Sequence, residues 1–294
     1  MKRLALVALC LAVCVPSLRA QSADEKKATV AYLQGSQQAD GGFLPAAGTK
    51  TSKSSLRSTT SALRALKYFG GAAKDTKTAA AFVEKCFDKE SGGFADSPGG
   101  KPDVVTTAVG LMALKELDVL EGRYIEPALR YLGKEVKSFE DIRIAAAGCE
   151  GIGVFPNPQF KDWLAELAKL RHDDGTYGTG DGAARETGGA VVAVLRLRGK
   201  VPHQDNVLKT IRAGQREDGG WGKAGAKASD LESSYRVMRC FHMLKERPAD
   251  VEKLKGFIAK CRNKDGGYGT APGQASSVSG CYYVGIITHW LEEK

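Results

Sequence analysis

One short motif occurs five times along this chain, and its spacing constrains the fold more than any other feature. In each copy one or two glycines stand next to an aromatic residue, usually after an acidic residue. The copies are 39–43 (ADGGF), 90–94 (ESGGF), 174–178 (DGTYG), 218–222 (DGGWG) and 265–269 (DGGYG). Their aromatic residues are 51, 83, 44 and 47 positions apart, and the longest gap accommodates two periods. The chain therefore contains six repeats, with a degenerate copy near Glu135 to Gly153.

Each repeat has an amphipathic segment before the turn and a more uniformly apolar segment after it. Spacings of three and four residues place apolar side chains on one helix face, as in 79–86, 125–136 and 251–261. These segments are predicted to be outer helices. The segments 104–114 and 187–195 are apolar on most sides, which is typical of inner helices buried on both faces. A short apolar run is also compatible with a buried strand, but the repetition of the whole unit favours helices.

The glycines of these turns are predicted to be structural. A glycine tolerates positive φ and lets another backbone approach closely, which suits a tight turn where one helix ends. The aromatic residue can pack into the joint between the two helices, and packing explains its repetition better than ligand contact does. The predicted structural turn residues are Gly42, Phe43, Gly93, Phe94, Tyr177, Gly220, Trp221, Gly267 and Tyr268.

The N-terminus has the pattern of a secretory signal peptide. A basic start is followed by the apolar run 4–15, and Ala20 stands before Gln21. We therefore predict a signal peptide at 1–20, a single domain at 21–294, and a secreted or periplasmic protein. A cysteine at the end of the run follows a bulky valine, which disfavours lipoprotein processing. The run is too short to span a bilayer, and no transmembrane segment is predicted in the mature chain.

Composition places the chain among folded globular proteins. It has 294 residues, 43% of them hydrophobic, and a formal net charge of +9. The positive charges do not cluster with aromatic residues, so nucleic-acid binding is not indicated. Five cysteines follow the predicted signal peptide, mostly in apolar helical segments where a free thiol is a small buried side chain. One disulfide is compatible with this number, and the sequence does not pair the cysteines.

With these turns followed by apolar helices, the chain resembles the superfamily of prenyltransferase and squalene-cyclase repeats. The segment 92–103 (GGFADSPGGKPD) carries the resemblance most clearly, and the similarity extends from Ala31 to Leu291. Six hairpins in one chain of this size are most similar to the β subunits of protein farnesyl- and geranylgeranyltransferases. The resemblance implies an all-α fold, an α/α toroid (α6-α6 barrel), with a central apolar cavity for an isoprenoid. It also implies prenyl transfer, which a fold alone does not establish.

The resemblance further implies a zinc site made of an Asp, a Cys two residues later and a His in a later repeat. Asp230 stands at the Asp position, Glu232 replaces the Cys, and Ser279 replaces the His. Zinc activates the thiol of the prenyl acceptor, and it needs its ligand set and one open position to do so. Serine is a poor zinc ligand, so the predicted site is incomplete, and zinc is a cofactor of this chain by resemblance only.

Two lysines are candidates for binding the diphosphate of a prenyl substrate. Lys227 stands where the resemblance places a lysine that faces the diphosphate, and Lys223 is the second candidate. Ser233 replaces a tyrosine of the family that has the same role. The predicted diphosphate contacts are therefore incomplete as well.

The acids at the start of this helix have a second interpretation that needs no metal. In the first turn of a helix, Asp230 and Glu232 are both favoured by the N-terminal dipole, and Asp230 can cap the helix. Arg185 and Glu186 open another inner helix, and they either cap it or present a charge pair to the cavity. The sequence leaves these interpretations open.

Two functions follow, and the residues do not decide whether the chain is an enzyme. The first is an exported prenyltransferase-like enzyme that binds an isoprenoid or its diphosphate, supported by the repeats, Asp230 and Lys227. The second is a non-catalytic toroid that binds an apolar ligand in its cavity or a protein partner at its rim. Carbocation cyclisation is disfavoured because the chain lacks an Asp-rich acid motif and only 7% of its residues are aromatic.

Overall fold

The computed structural model describes residues 21–48 and 53–293, so the predicted signal peptide at 1–20 lies outside the described residues. The helices before the turns are α1 (Ala23–Gly35), α3 (Thr76–Lys85), α5 (Gly122–Glu135), α7 (Asn157–Lys169), α9 (Gln204–Ala213) and α11 (Val251–Lys260). The helices after the turns are α2 (Leu56–Tyr68), α4 (Val104–Glu116), α6 (Phe139–Ile152), α8 (Ala183–Arg196), α10 (Leu231–Leu244) and α12 (Val278–Glu292). Within these described residues, the only β pairing consists of isolated bridges at the turns.

The even-numbered helices form a closed inner ring. Each of them contacts the next, and α12 contacts α2 to complete the circle. The odd-numbered helices lie outside, where α1 packs on α2 and α12, α3 on α2 and α4, and α7 on α6 and α8. The molecule is an α/α toroid, which confirms the predicted all-α fold of six helical hairpins. None of the described helices is long and apolar enough to cross a membrane.

Contacts between neighbouring inner helices show that these helices run in the same direction. Near the start of α2, Thr60 donates its hydroxyl to the carbonyl oxygen of Val109, near the start of α4, at 3.1 Å. Near the ends of the same two helices, Arg64 Nε lies 3.6 Å from Glu116 Oε1, and the ends of α6 and α8 are paired in the same way. The N-terminal ends of the inner helices therefore form one rim of the ring, and their C-terminal ends form the other.

Burial differs between the two sets of helices in the way the sequence predicts. Nine of the thirteen residues of α4 are buried, whereas α5 buries only Tyr124, Ala128 and Leu132. Of the predicted stripe of α5, Leu132 is buried as expected, whereas Ile125 and Leu129 are only half-buried and Tyr124 and Ala128 are buried in their place. The reason is that the large aromatic ring of Tyr124 packs against Phe94 and Phe87 in the neighbouring turn.

One hydrogen bond recurs where the turns meet the inner helices. The backbone N–H of the turn aromatic donates to a hydroxyl near the start of the following helix. The pairs are Phe43–Thr59, Phe94–Thr107, Tyr177–Thr187 and Trp221–Ser234, at 3.0 to 3.1 Å. In the sixth repeat the backbone N–H of Tyr268 donates to the sulfur of Cys281 instead. In five of the six repeats this bond therefore joins the turn to the first turns of the inner helix.

The two glycines of a turn have different structural roles. The first has positive φ, as at Gly219 (94°) and Gly266 (86°), where other residues are strained. The second is needed for space, because a Cβ on Gly220 would lie 2.7 Å from Ser229 Cβ and 3.0 Å from the Phe257 ring. The largest fully buried side chains of the described residues include four turn aromatics: Trp221, Tyr268, Phe43 and Phe94.

Candidate functional site

The inner helices enclose a cavity of about 270 Å³, and all six of them contribute to its lining. Its apolar wall comes mainly from α4 and α6: Val105, Val109, Met112, Ile144 and Ala147. Six cationic side chains also line it: Arg64, Lys115, Arg143, Arg196, Arg236 and Arg239. Only three acids do: Glu116, Glu150 and Glu232. Where the resemblance implies an apolar cavity, this chain has a mixed lining with an excess of positive charge.

Glu232 lies at the N-terminal end of this cavity and is held by three cations. Its Oε1 accepts hydrogen bonds from Arg236 Nη2 at 2.7 Å and from Arg185 Nη2 at 3.1 Å. Its Oε2 lies 3.2 Å from Lys223 Nζ. Burial raises the pKa of Glu232, but the surrounding positive charges lower it more, to about 2. Glu232 is therefore ionised at neutral pH, and both of its oxygens are engaged.

Arg236 extends this network to the neighbouring helix α6. It donates two hydrogen bonds to Glu140, at 2.7 and 3.1 Å, in the bidentate arrangement that favours arginine. Glu140 also accepts a hydrogen bond from Arg143 Nε at 2.9 Å. On α8, Arg185 also pairs with the adjacent Glu186 at 2.6 Å, but neither side chain lines the cavity. This N-terminal network joins α6, α8 and α10.

Asp230 is the N-cap of α10. Its Oδ1 accepts a hydrogen bond from the backbone N–H of Ser233, and its Oδ2 accepts one from the Ser233 hydroxyl, both at 2.8 Å. Of the other predicted residues, Lys223 meets Glu232, whereas Lys227 is exposed and has no ion pair in the described part of the chain. Ser279 lies half-buried in the first turn of α12.

The side chains at the family's zinc positions do not fit zinc. Zinc is bound by thiolates, imidazoles and carboxylates in a tetrahedral arrangement. Here Asp230 caps a helix, Glu232 binds three cations, and Ser279 offers only a hydroxyl. Throughout residues 21–48 and 53–293, no group of three His, Cys, Asp or Glu side chains is arranged to hold a metal ion. His289 pairs instead with Glu293, with Nε2 and Oε1 3.0 Å apart.

The C-terminal half of the cavity contains three further arginines. Arg196 Nε lies 2.8 Å from Glu150 Oε2, and Arg64 Nε lies 3.6 Å from Glu116 Oε1. Arg239 has no carboxylate within ion-pair distance among the described residues. Its guanidinium carbon instead lies 4.5 Å from the centre of an aromatic ring on α12 and 5.7 Å from one on α10.

Two tyrosines lie among these arginines. Burial raises the pKa of Tyr235, but the charges of Arg239, Arg196 and Arg64 lower it more, so that it lies below its usual value. Tyr282 is 8% exposed, and its ring centre lies 5.1 Å from the Arg64 guanidinium carbon. The Tyr282 hydroxyl is buried and interacts with the Tyr235 hydroxyl, but it makes no hydrogen bond of good geometry within the described residues. This end of the cavity is therefore both cationic and incompletely hydrogen-bonded.

The arginine lining of the cavity is not among the features predicted from the sequence. A signal for it exists, because Arg236 and Arg239 are three residues apart in a helix whose other buried residues are mostly apolar. A charge at a position predicted to be buried is seldom structural unless it is paired. Arg64, Arg143 and Arg196 also lie within predicted inner helices, on α2, α6 and α8.

The cysteines contribute no chemistry to the cavity. The five in the described residues, Cys86, Cys149, Cys240, Cys261 and Cys281, are all buried and free. Burial raises the pKa of each thiol to about 12, so none is a thiolate at neutral pH. The disulfide that their number would allow does not form among them.

Comparison with solved structures shows a toroid fold shared with enzymes of isoprenoid chemistry. Candida albicans protein geranylgeranyltransferase-I, complexed with GGPP, has a TM-score of 0.63 and 12% identity over 80% of this chain and 84% of that one. A protein from Actinoplanes has a TM-score of 0.63 and 14% identity over 92% and 98%. A variant of the type II terpene cyclase MstE from Scytonema, in complex with geranylgeranyl dihydroxybenzoate, has a TM-score of 0.57 and 10% identity over 92% and 96%.

These identities are low, so the similar structures establish the fold and not the activity. No curated protein sequence matches the chain. The family model of the prenyltransferase alpha-alpha toroid domain matches residues 2–79, 71–137 and 123–292, which together span nearly the whole chain. By this match and by its closed double ring of helices, the chain belongs to the prenyltransferase α/α toroid domain family.

Proposed function

We propose that this protein is a non-catalytic toroid that binds a small ligand in its central cavity, outside the cytosol. The observation that carries this proposal is the binding of Glu232 by Arg236, Arg185 and Lys223. Glu232 stands where the family's zinc-binding cysteine is expected. Its negative charge is already balanced, so a dication there would have to displace three cations.

Prenyl transfer of the zinc-dependent kind needs a metal-bound thiolate beside a bound prenyl diphosphate. Asp230 caps its helix, and the exposed Lys227 forms no ion pair with described residues near the cavity. The family's geranylgeranyl-binding relatives supply the precedent for a ligand in the toroid. In this chain a cavity of about 270 Å³ supports the binding of a ligand. The hydrogen bonds and ion pairs already made by Asp230 and Glu232 support the absence of zinc-dependent catalysis.

Native mass spectrometry of the mature protein, purified from its exported compartment, tests the proposal. We expect a metal-free protein that carries one small molecule. We also expect no geranylgeranyl or farnesyl transfer to a thiol peptide when zinc and the prenyl diphosphate are supplied. Transfer activity, or a zinc ion lost in Asp230→Asn, would overturn the proposal in favour of an enzyme. An empty cavity in all preparations would shift the function to the rim and a protein partner.

Export is the second part of the proposal and rests on the sequence of residues 1–20. A basic start, a short apolar run and a small residue before Gln21 support cleavage at that position. The intact mass of the protein recovered from the periplasm or medium measures this directly. A mass that begins at Gln21 is expected, and retention of the full chain in the cytosol would contradict export.

A further inference from the structure

Three arginines from three different inner helices converge in the C-terminal half of the cavity. They are Arg64 on α2, Arg196 on α8 and Arg239 on α10, and all three act on the Tyr235 hydroxyl strongly enough to lower its pKa despite burial. Arg196 is 6% exposed, and the two others are also largely withdrawn from solvent. Guanidinium groups keep their charge when buried, so the electrostatic potential here is positive.

The protein itself balances only part of this charge. Glu150 pairs with Arg196, and Glu116 is shared between Arg64 and an exposed lysine, Lys67, at 3.0 Å. Arg239 interacts with the Tyr235 hydroxyl and with the ring of Trp290, but it pairs with no described carboxylate, and its buried Nε has no hydrogen-bond partner in the described residues. Burying an unpaired charge is costly, and natural proteins seldom retain one without a use for it.

A second observation points to a ligand at the same place. The hydroxyl of Tyr282, a side chain that is 8% exposed, is buried; it interacts with the Tyr235 hydroxyl but makes no hydrogen bond of good geometry within the described residues. Tyr282 lines the cavity beside Arg64, with 5.1 Å between the guanidinium carbon and the ring centre. An unsatisfied hydroxyl and an unsatisfied guanidinium nitrogen at one site are both hydrogen-bond donors, and an acceptor with negative charge would satisfy them.

The rest of the cavity lining indicates which chemical group is attached to such an anion. Val109, Met112 and Ile144 line the cavity as well and form an apolar wall. Lys115 and Gly151, at the ends of α4 and α6, line the cavity and are exposed, so the cavity reaches solvent at the C-terminal rim. The predicted diphosphate residue Lys227 and the capping Asp230 lie at the opposite rim, before α10 begins.

We propose that the cavity binds a small organic oxyanion, a carboxylate or a phosphate monoester carried on a short apolar group, with the anion held by Arg239, Arg64 and Tyr282. This inference deepens the proposed function, on which it rests, by naming the class of ligand. The anion enters from the C-terminal rim, and its apolar group lies against α4 and α6.

Calorimetric titration with phenyl phosphate and with benzoate tests this site, and inorganic phosphate and chloride at matched ionic strength are the references. At least one organic anion should bind with one site per chain and more tightly than inorganic phosphate. Which of the two binds distinguishes a phosphate from a carboxylate ligand. In Arg239→Met the binding should weaken at least about tenfold, while the exposed control Arg130→Met should bind as the wild type does.

Thermal unfolding of the same variants separates a binding role from a structural one. Without ligand, Arg239→Met should melt at the same or a higher temperature than the wild type, because it removes a buried charge that no carboxylate balances and keeps apolar contact with the neighbouring rings. If Arg239→Met melts lower and still binds the anions as the wild type does, the arginine is structural and the inference is wrong. If neither probe binds and native mass spectrometry finds a neutral molecule in the cavity, the inference fails while the proposed function survives. Prenyl transfer would refute the proposed function instead.

Discussion

At the scale of single residues, the positions where the resemblance implies zinc ligands have other roles in this chain. Asp230 caps α10, and Glu232 is the centre of the N-terminal network. The physical reason is local, because a carboxylate accepts charge-assisted hydrogen bonds from guanidinium groups. Arg236 and Arg185 supply those groups.

The first residue-scale prediction concerns the pH dependence of stability that Glu232 confers. Its pKa is about 2 in the folded protein, below the value of an unfolded chain, so the folded state binds fewer protons between the two values. The contribution is therefore present above about pH 5 and is lost as the pH falls towards 2. Glu232→Gln should lower the free energy of unfolding by about 2 kcal/mol at pH 7. It should also reduce the loss of that free energy as the pH falls from about 5 towards 2.

Urea titrations at a series of pH values measure this effect. The control is Glu166→Gln, which removes an exposed carboxylate paired only with Lys169 and should change stability by less than about 0.5 kcal/mol. If the free energy of unfolding of Glu232→Gln falls at acid pH as much as that of the wild type, the N-terminal network is not stabilising.

The second residue-scale prediction concerns the second glycine of the turn. Gly220→Ala places a Cβ 2.7 Å from that of Ser229 and 3.0 Å from the Phe257 ring, so it should lower the free energy of unfolding by about 2 kcal/mol. Gly35→Ala, at an exposed helix end with no atom within 4 Å, should be neutral or slightly stabilising. Chemical denaturation compares the two, and equal effects would refute the packing role of the turn.

At the scale of elements, the outer and inner helices differ because they face different surroundings. An outer helix buries one stripe, whereas an inner helix packs on two neighbours in the ring and on an outer helix. Where inner helices come closest, small residues permit it: a Cβ on Gly148 of α6 would lie 3.0 Å from Ala108 Cβ of α4. The helix starts are then fixed by caps such as Asp230, Asp103 and Ser138.

The element-scale prediction separates capping from metal binding at Asp230. Asp230→Ala should lower the free energy of unfolding by about 1 kcal/mol, and Asp230→Asn should retain most of that stability because asparagine caps as well as aspartate. Thermal denaturation with and without added zinc measures both variants. Zinc-dependent stabilisation of the wild type that is absent from both variants would contradict the capping interpretation.

At the scale of the whole molecule, the ring is closed, so its last repeat packs on its first. At this seam Gly285 of α12 approaches the side chains that end α2, and a Cβ there would lie 3.0 Å from Tyr68 Cβ and 3.1 Å from the Phe69 ring. An open solenoid can unfold from its ends, whereas a closed ring loses its central packing when the contact between any two neighbouring repeats opens. Closure should therefore make unfolding cooperative around the ring.

The whole-molecule prediction tests this closure by native-state hydrogen exchange. Gly285→Val should lower the free energy of opening by about 2 kcal/mol, and it should do so in α6 across the ring as well as in α2 and α12. The control Gly122→Val, at the exposed start of α5 with no atom within 4 Å, should leave the seam unchanged. Loss of protection confined to α2 and α12 would indicate that the repeats unfold separately.

The repeats explain why so much of this fold was predictable. The turn glycines, the buried aromatics and the alternation of amphipathic with apolar helices are local patterns, and six copies of one pattern reinforce each other. The first half of the buried stripe of α5 shows the limit, because the ring of Tyr124 could pack on Phe94 only once the neighbouring repeat was in place.

What the sequence by itself determined is the toroid, the order of its helices and the weakness of the zinc positions. What only the tertiary structure decided is the character of the cavity. Arg64, Arg196 and Arg239 are far apart in the chain and come from three helices, so their convergence depends on the closure of the ring. A repeat pattern specifies how neighbours pack, whereas the potential inside a ring is the sum of side chains from all of its members.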